Sequence, residues 1–71
     1  MKRTPINSGE LISVGYDAEI QVLEVELSNH TVYQFTRVSA EVYASLLRAD
    51  MPYAYFMSEI ESVYANSRVY P

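Results

Sequence analysis

No cysteine occurs in this chain, and histidine occurs once, at position 30. The first absence removes the disulfide framework on which small secreted domains usually depend. The second leaves nucleophilic catalysis poorly supplied: there is no thiol, the lone imidazole falls in a turn, and no serine sits in a Gly-x-Ser-x-Gly elbow. Basic residues are also scarce. Five Lys plus Arg stand against nine Asp plus Glu, a net charge of -4 and a pI near 4.7, which disfavours wholesale nucleic-acid binding. No N-terminal apolar run resembles a signal peptide or a membrane span, so the expected address is cytoplasmic, without a membrane. Repeats, linkers and low-complexity tracts are absent.

What remains is a composition that can pack. The chain has 71 residues, 49% hydrophobic and 13% aromatic, too apolar for disorder and large enough for one core only. Residues 1–71 read as a single domain with a modest stability of about 3–5 kcal/mol. Met1 to Glu10 is polar, carries Pro5 and Gly9, and reads as a mobile arm leading into the first strand. From Leu11 the period is two: Ile12, Val14 and Tyr16 share one face, with Ser13, Gly15 and Asp17 on the other. After a turn at Asp17-Ala18-Glu19-Ile20, a second strand alternates more cleanly, Leu23, Val25 and Leu27 against Glu24 and Glu26.

The next turn follows from register, because directly opposed residues in an antiparallel pair share a face. A two-residue loop at Asn29-His30 would set Tyr33 and Phe35 against Glu26 and Glu24. A three-residue loop, Ser28-Asn29-His30, sets Val25 opposite Tyr33 and Leu23 opposite Phe35, and asks His30 to adopt the left-handed conformation of a G1-type bulge. Ser39 is a suitable N-cap for a helix to about Ala49, with Val42, Tyr43, Leu46, Leu47 and Ala49 on one stripe. Pro52 opens a second helix, with Tyr53, Phe56, Met57, Ile60, Val63 and Tyr64 on an inward arc and Tyr55 outside it. The tail from Ala65 carries no assignable pattern. The expected fold is α+β, a three-stranded antiparallel meander with two C-terminal helices packed on one face. Ile12, Val14, Leu23, Val25, Leu27, Tyr33 and Phe35 would meet Val42, Leu46, Phe56 and Ile60. Glu24, Glu26, Gln34 and Thr36 would face water or a partner.

Chemistry-bearing candidates are few. Glu24 and Glu26 project from one strand face about 6.5–7 Å apart, near the spacing of paired glycosidase carboxylates, but a flat sheet offers no pocket to separate their pKa values. Solvated charge is the better reading. His30 lacks metal-ligand spacing to Glu26 or Asp17 and reads as a turn residue. Of the seven tyrosines, Tyr16, Tyr33, Tyr43, Tyr53 and Tyr64 have core-facing phase, whereas Tyr55 and Tyr70 are candidates for partner contact.

Several segments, each a weak motif alone, carry a resemblance over nearly the whole chain: Arg3-Thr4-Pro5 with Ser8, Ile12-Ser13-Val14-Gly15-Tyr16-Asp17, Leu23-Glu24-Val25-Glu26-Leu27, Val32-Tyr33-Gln34-Phe35, Val42-Tyr43 and Tyr55-Phe56. In these the chain resembles the KTSC family, named from the C-terminus of certain lysyl-tRNA synthetases and found also as small stand-alone proteins. The family's Tyr-x-Tyr pattern matches at Tyr33-Gln34-Phe35. RNA binding has been suggested for the family, so the resemblance implies an RNA-binding role; in this chain a weak site would set Lys2, Arg3, Arg37 and Arg68 against phosphates, with an exposed tyrosine, Tyr55, stacking on a base. Relatives tend to carry Gly where this chain has His30, Asn where it has Met57, and basic residues through a last helix that here bears Glu59 and Glu61. The acidic balance therefore favours a non-enzymatic interaction module, binding a protein partner or itself, with no cofactor and no metal; RNA is the alternative.

Overall fold

The computed structural model describes residues 1–70. Five strands, β1 (Thr4–Ser8), β2 (Leu11–Asp17), β3 (Val22–Leu27), β4 (Val32–Phe35) and β5 (Asn66–Tyr70), form one antiparallel sheet in the order β1-β2-β3-β4-β5. Between β4 and β5 the chain makes helix α1 (Ala40–Arg48) and helix α2 (Pro52–Tyr55), which runs on into a π-helical segment, Phe56–Glu61.

The meander of β2, β3 and β4 is the expected one, and it is extended at both edges. The N-terminal segment is no mobile arm: Thr4 and Pro5 pair with Val14 and Ser13, and Ser8 pairs with Leu11. Its polar, proline-bearing composition suits an edge, where one side of the backbone needs no ladder partner. At the other edge the unassigned tail becomes β5, with Asn66, Ser67 and Arg68 opposite Phe35, Gln34 and Tyr33. Every β5 residue is exposed, so the strand carries no alternating pattern.

Register is the best-determined feature of the centre. Val25 opposes Tyr33 and Leu23 opposes Phe35. The loop between them closes through the Leu27 and His30 amides, which donate to the Thr31 and Leu27 carbonyls, both at 2.9 Å. His30 adopts φ 65°, the left-handed conformation that a three-residue loop demands. In β2 the phase departs from simple alternation. Leu11 pairs with Leu27 but Ser13 with Glu26, so one residue bulges and Leu11, fully buried, takes the core place expected of Ile12.

Ser39 caps α1, its Oγ accepting from the Val42 amide at 3.2 Å. Leu46 is the one fully buried residue of that helix, and Leu47, expected inside, is 43% exposed. The second helical unit departs further. Its π turns are wider than α turns, so the apolar residues drift out of their 100° phase. Phe56 and Ile60 stay buried while Met57 and Val63 turn outward, and Tyr55, expected outside, packs half-buried against the core. The core joins Leu11, Val14, Leu23, Val25 and Phe35 of the sheet to Val38, Leu46, Phe56 and Ile60, with Phe35 and Phe56 meeting edge to face at 5.4 Å.

Replacing His30 by glycine relieves the left-handed backbone and should raise stability by about 0.5–1 kcal/mol, read as a higher urea midpoint at unchanged m value. A lower midpoint would mean that the imidazole contributes more than the backbone costs.

Candidate functional site

An open groove of about 390 Å³ lies on the helical side of the sheet, where the second helical unit stands away from β4 and β5. Its floor is Leu27, Tyr33 and Phe35, brought together by the β3-β4 register. Its wall is Tyr53, Phe56 and Met57. Glu61, from the end of the π-helical segment, and Asn66, at the start of β5, supply its polar atoms along with the tyrosine hydroxyls.

Local sequence explains the wall. Pro52 starts α2 at the position where its missing N–H is harmless. The Tyr53 amide then donates to Ser8 Oγ at 3.3 Å, which ties the helix start to β1. Below the Tyr53 ring, Gly9 has φ +56°, and a Cβ there would stand 3.1 Å from the ring's Cδ2. Glycine thus serves both the left-handed turn and the ring above it. Tyr53 stacks on Phe56 with centroids 6.5 Å apart, and the Tyr33 and Phe35 rings are tilted at the same separation. The groove offers aromatic faces, a thioether, an amide and one carboxylate, a set suited to grasping an apolar or amphipathic group; no side chain in it pairs a nucleophile with a base.

The opposite face of the sheet bears a polar network. Arg3 donates through Nε to Ser13 Oγ at 3.0 Å and forms an ion pair with Glu24; Ser13 donates to Glu26 at 2.8 Å, and Gln34 donates to Glu24 at 2.9 Å. Glu24 is therefore not solvated charge, as its strand phase implies, but 7% exposed beneath Arg3 and Gln34. Burial alone would raise its pKa; the hydrogen bonds from Gln34 and Arg3 and the arginine's charge outweigh that and hold it below the ordinary carboxylate value. Gly15 makes the arrangement possible, since a Cβ at that position would come within 2.5 Å of the Lys2 carbonyl oxygen.

The candidate RNA contacts do not converge. Arg3 is engaged in the network just described, and Lys2 lies beside it at the β1 edge. Arg68 is on β5, the other edge of the sheet and four strand spacings away, on the order of 19 Å along the sheet. Arg37 is exposed with φ 62° in the link from β4 to α1, and Tyr55 is packed on the core. Of the candidate residues, Arg68 alone lies by the groove, sharing a sheet face with Tyr33. Three lining residues escape sequence reasoning: Glu61 reads as surface charge, Met57 as core, and Asn66 as unpatterned tail. The β-prone Val69-Tyr70 pair at the end of that tail is the one local signal of a further strand. Among the described residues no helix is long and apolar enough to cross a membrane, and no three His, Asp or Glu side chains gather at metal-binding distance.

A five-stranded antiparallel sheet with two helical units inserted before its last strand defines a small α+β domain. The chain belongs to the KTSC domain family, whose model matches residues 7–64. It is 48% identical over 50 residues to an uncharacterized protein of Stutzerimonas stutzeri (strain A1501), the match covering 70% of each chain. In three dimensions it is similar to the crystal structure of a KTSC domain protein from Yersinia pestis, with a TM-score of 0.92, 22% identity and 96% of each chain covered. That likeness establishes the fold.

Two outcomes follow from the outer face. Because the Glu24 pKa is lowered by folding, its contribution is present above the ordinary carboxylate value of 4.5 and is lost as pH falls through the depressed one. Glu24→Gln should cost about 1–3 kcal/mol at pH 7, and the difference from the parent should shrink as denaturation is repeated at falling pH below 4.5. Gly15→Ala should cost about 1–3 kcal/mol by driving Lys2 off the sheet; amide exchange would then speed up in β1 before it does in β3.

Proposed function

We propose that this domain is a non-enzymatic interaction module that holds a segment of polypeptide in the aromatic groove beside β5. The observation that carries this reading is the adjacency of the groove to an open strand edge. Asn66 belongs to both, so a chain pairing with β5 would lay alternate side chains beside Asn66 and Arg68, at the mouth of the groove. Main-chain hydrogen bonds along an edge give affinity with little demand on sequence, and pockets beside it supply selectivity. The exposed Met57, 40% accessible, adds an adaptable thioether to the wall.

RNA binding draws no comparable support from the geometry. One of its four cations is spent on Glu24, Lys2 and Arg68 lie at opposite edges of the sheet, and its stacking tyrosine is half-buried. The test is a backbone-amide NMR titration with two probes at low salt, bulk tRNA and a permanently unfolded polypeptide such as reduced, alkylated lysozyme. The expected result is shifts at Tyr33, Tyr53, Met57 and Asn66–Val69 with the polypeptide that are lost in Tyr53→Ser. Salt-sensitive shifts at Lys2, Arg37 and Arg68 with tRNA, and none with the polypeptide, would replace this reading with the RNA one.

A further inference from the structure

The two edges of the sheet are not equally receptive. β1 carries Pro5, an irregular register between Pro5 and Ser8 and a left-handed residue at Asn7, and is followed by another at Gly9, all of which hinder a further strand. β5 keeps a regular register with β4 over Asn66, Ser67 and Arg68 and bulges only beyond them, at Val69; it contains no proline and each of its residues is exposed. Its register places Asn66 and Arg68 on the groove side, with Phe35 and Tyr33, and Ser67 on the other side with Gln34. Charge then distinguishes what can lie along it. The groove holds one carboxylate, Glu61, and among the described residues Glu61 forms no ion pair. Arg68 stands on the same face and likewise has no ion-pair partner among them.

We infer that β5 pairs with β5 of a second copy of this chain, antiparallel and centred on Ser67, so that Arg68 of each copy enters the groove mouth of the other and meets its Glu61. The inference rests on the interaction-module reading and names its partner. A twofold axis through Ser67 opposes Ser67 to itself and Asn66 to Arg68 of the partner subunit. Because Asn66 lines the groove, as Glu61 does, the partner's Arg68 is carried to the groove edge. Centring on Arg68 instead would stack two guanidinium groups on one face, which like-charge repulsion disfavours. The same twofold axis keeps both helical faces on one side of a continuous ten-stranded sheet, its strand number being twice the five of one copy.

The absence of native cysteine makes the test direct. Directly opposed residues have Cα atoms about 4.5–5.5 Å apart, within disulfide reach. Ser67→Cys should therefore cross-link to a covalent dimer under mild oxidation much faster than Glu19→Cys, a thiol in an exposed turn. A mixture of Asn66→Cys and Arg68→Cys should form the heterodimer in preference to either homodimer. In sedimentation equilibrium of the cysteine-free protein, Arg68→Glu or Glu61→Arg alone should weaken dimerisation about tenfold, and the double exchange should recover most of the loss. A sedimentation profile that stays monomeric to millimolar concentration, or equal cross-linking rates at positions 67 and 19, would overturn self-pairing. If groove shifts with the unfolded polypeptide persisted in that case, the module would stand and only its partner would change; if they were absent too, both readings would fall.

Discussion

The parity of the β3-β4 pairing governs the rest of the molecule. With Ser28, Asn29 and His30 in the loop, Leu23, Val25, Tyr33 and Phe35 share one side of the sheet, and Glu24 and Gln34 share the other. A slip of one residue would exchange these sets. The left-handed conformation of His30 is the local condition of that parity, and the edge-to-face contact of Phe35 with Phe56 is its tertiary consequence. The core, the groove and the outer network all presuppose it.

Each face then solves a different problem. On the helical side, two short helical units cannot cover five strands evenly. The shortfall appears beside β4 and β5 as the groove, where Tyr33 and Tyr53 are half-buried and Met57 is exposed. On the bare side, the sheet has no second layer, and a carboxylate at its centre is costly unless paired. Arg3 and Gln34 provide the partners of Glu24, Ser13 links Arg3 to Glu26, and no buried side-chain polar atom among the described residues is left without a partner. The N-terminal segment is thereby part of the fold, held by Glu24 as well as by its own strand pairing. This also withdraws Arg3 from the set of cations available to an anionic ligand.

Sheet edges connect the structure to the proposed role. A small domain must either blunt an open edge or use it. β1 is blunted by Pro5 and its irregular register, whereas β5 contains no proline, keeps register with β4 from Asn66 to Arg68 and lies beside an apolar groove. The membership of the KTSC family and the close likeness in fold to a KTSC domain protein from Yersinia pestis establish the architecture. The reading of β5 as the working edge rests on the side chains of this chain itself.

Much of the centre was legible in the order of residues, because it depends on local periodicity. Alternation marked β2 and β3, the opposition of charged and aromatic residues chose the loop length, and Ser39 and Pro52 marked the two helix starts. KTSC membership was likewise legible, from weak segments in the right order. The edges were not. A fully exposed strand such as β5 has no alternating face, and a polar strand such as β1 looks like a loop until its neighbour is known. Nor did the wheel of the second helix survive: from Phe56 a π-helical segment changes the angle on which a wheel is drawn and Met57 turns outward, while Tyr55, in the α turn before it, packs half-buried against the core. The groove, the burial of Glu24 and the loss of Arg3 as a free cation depend on residues distant in sequence meeting across strands. Local pattern carries the period of a segment; only tertiary packing decides which segments become neighbours.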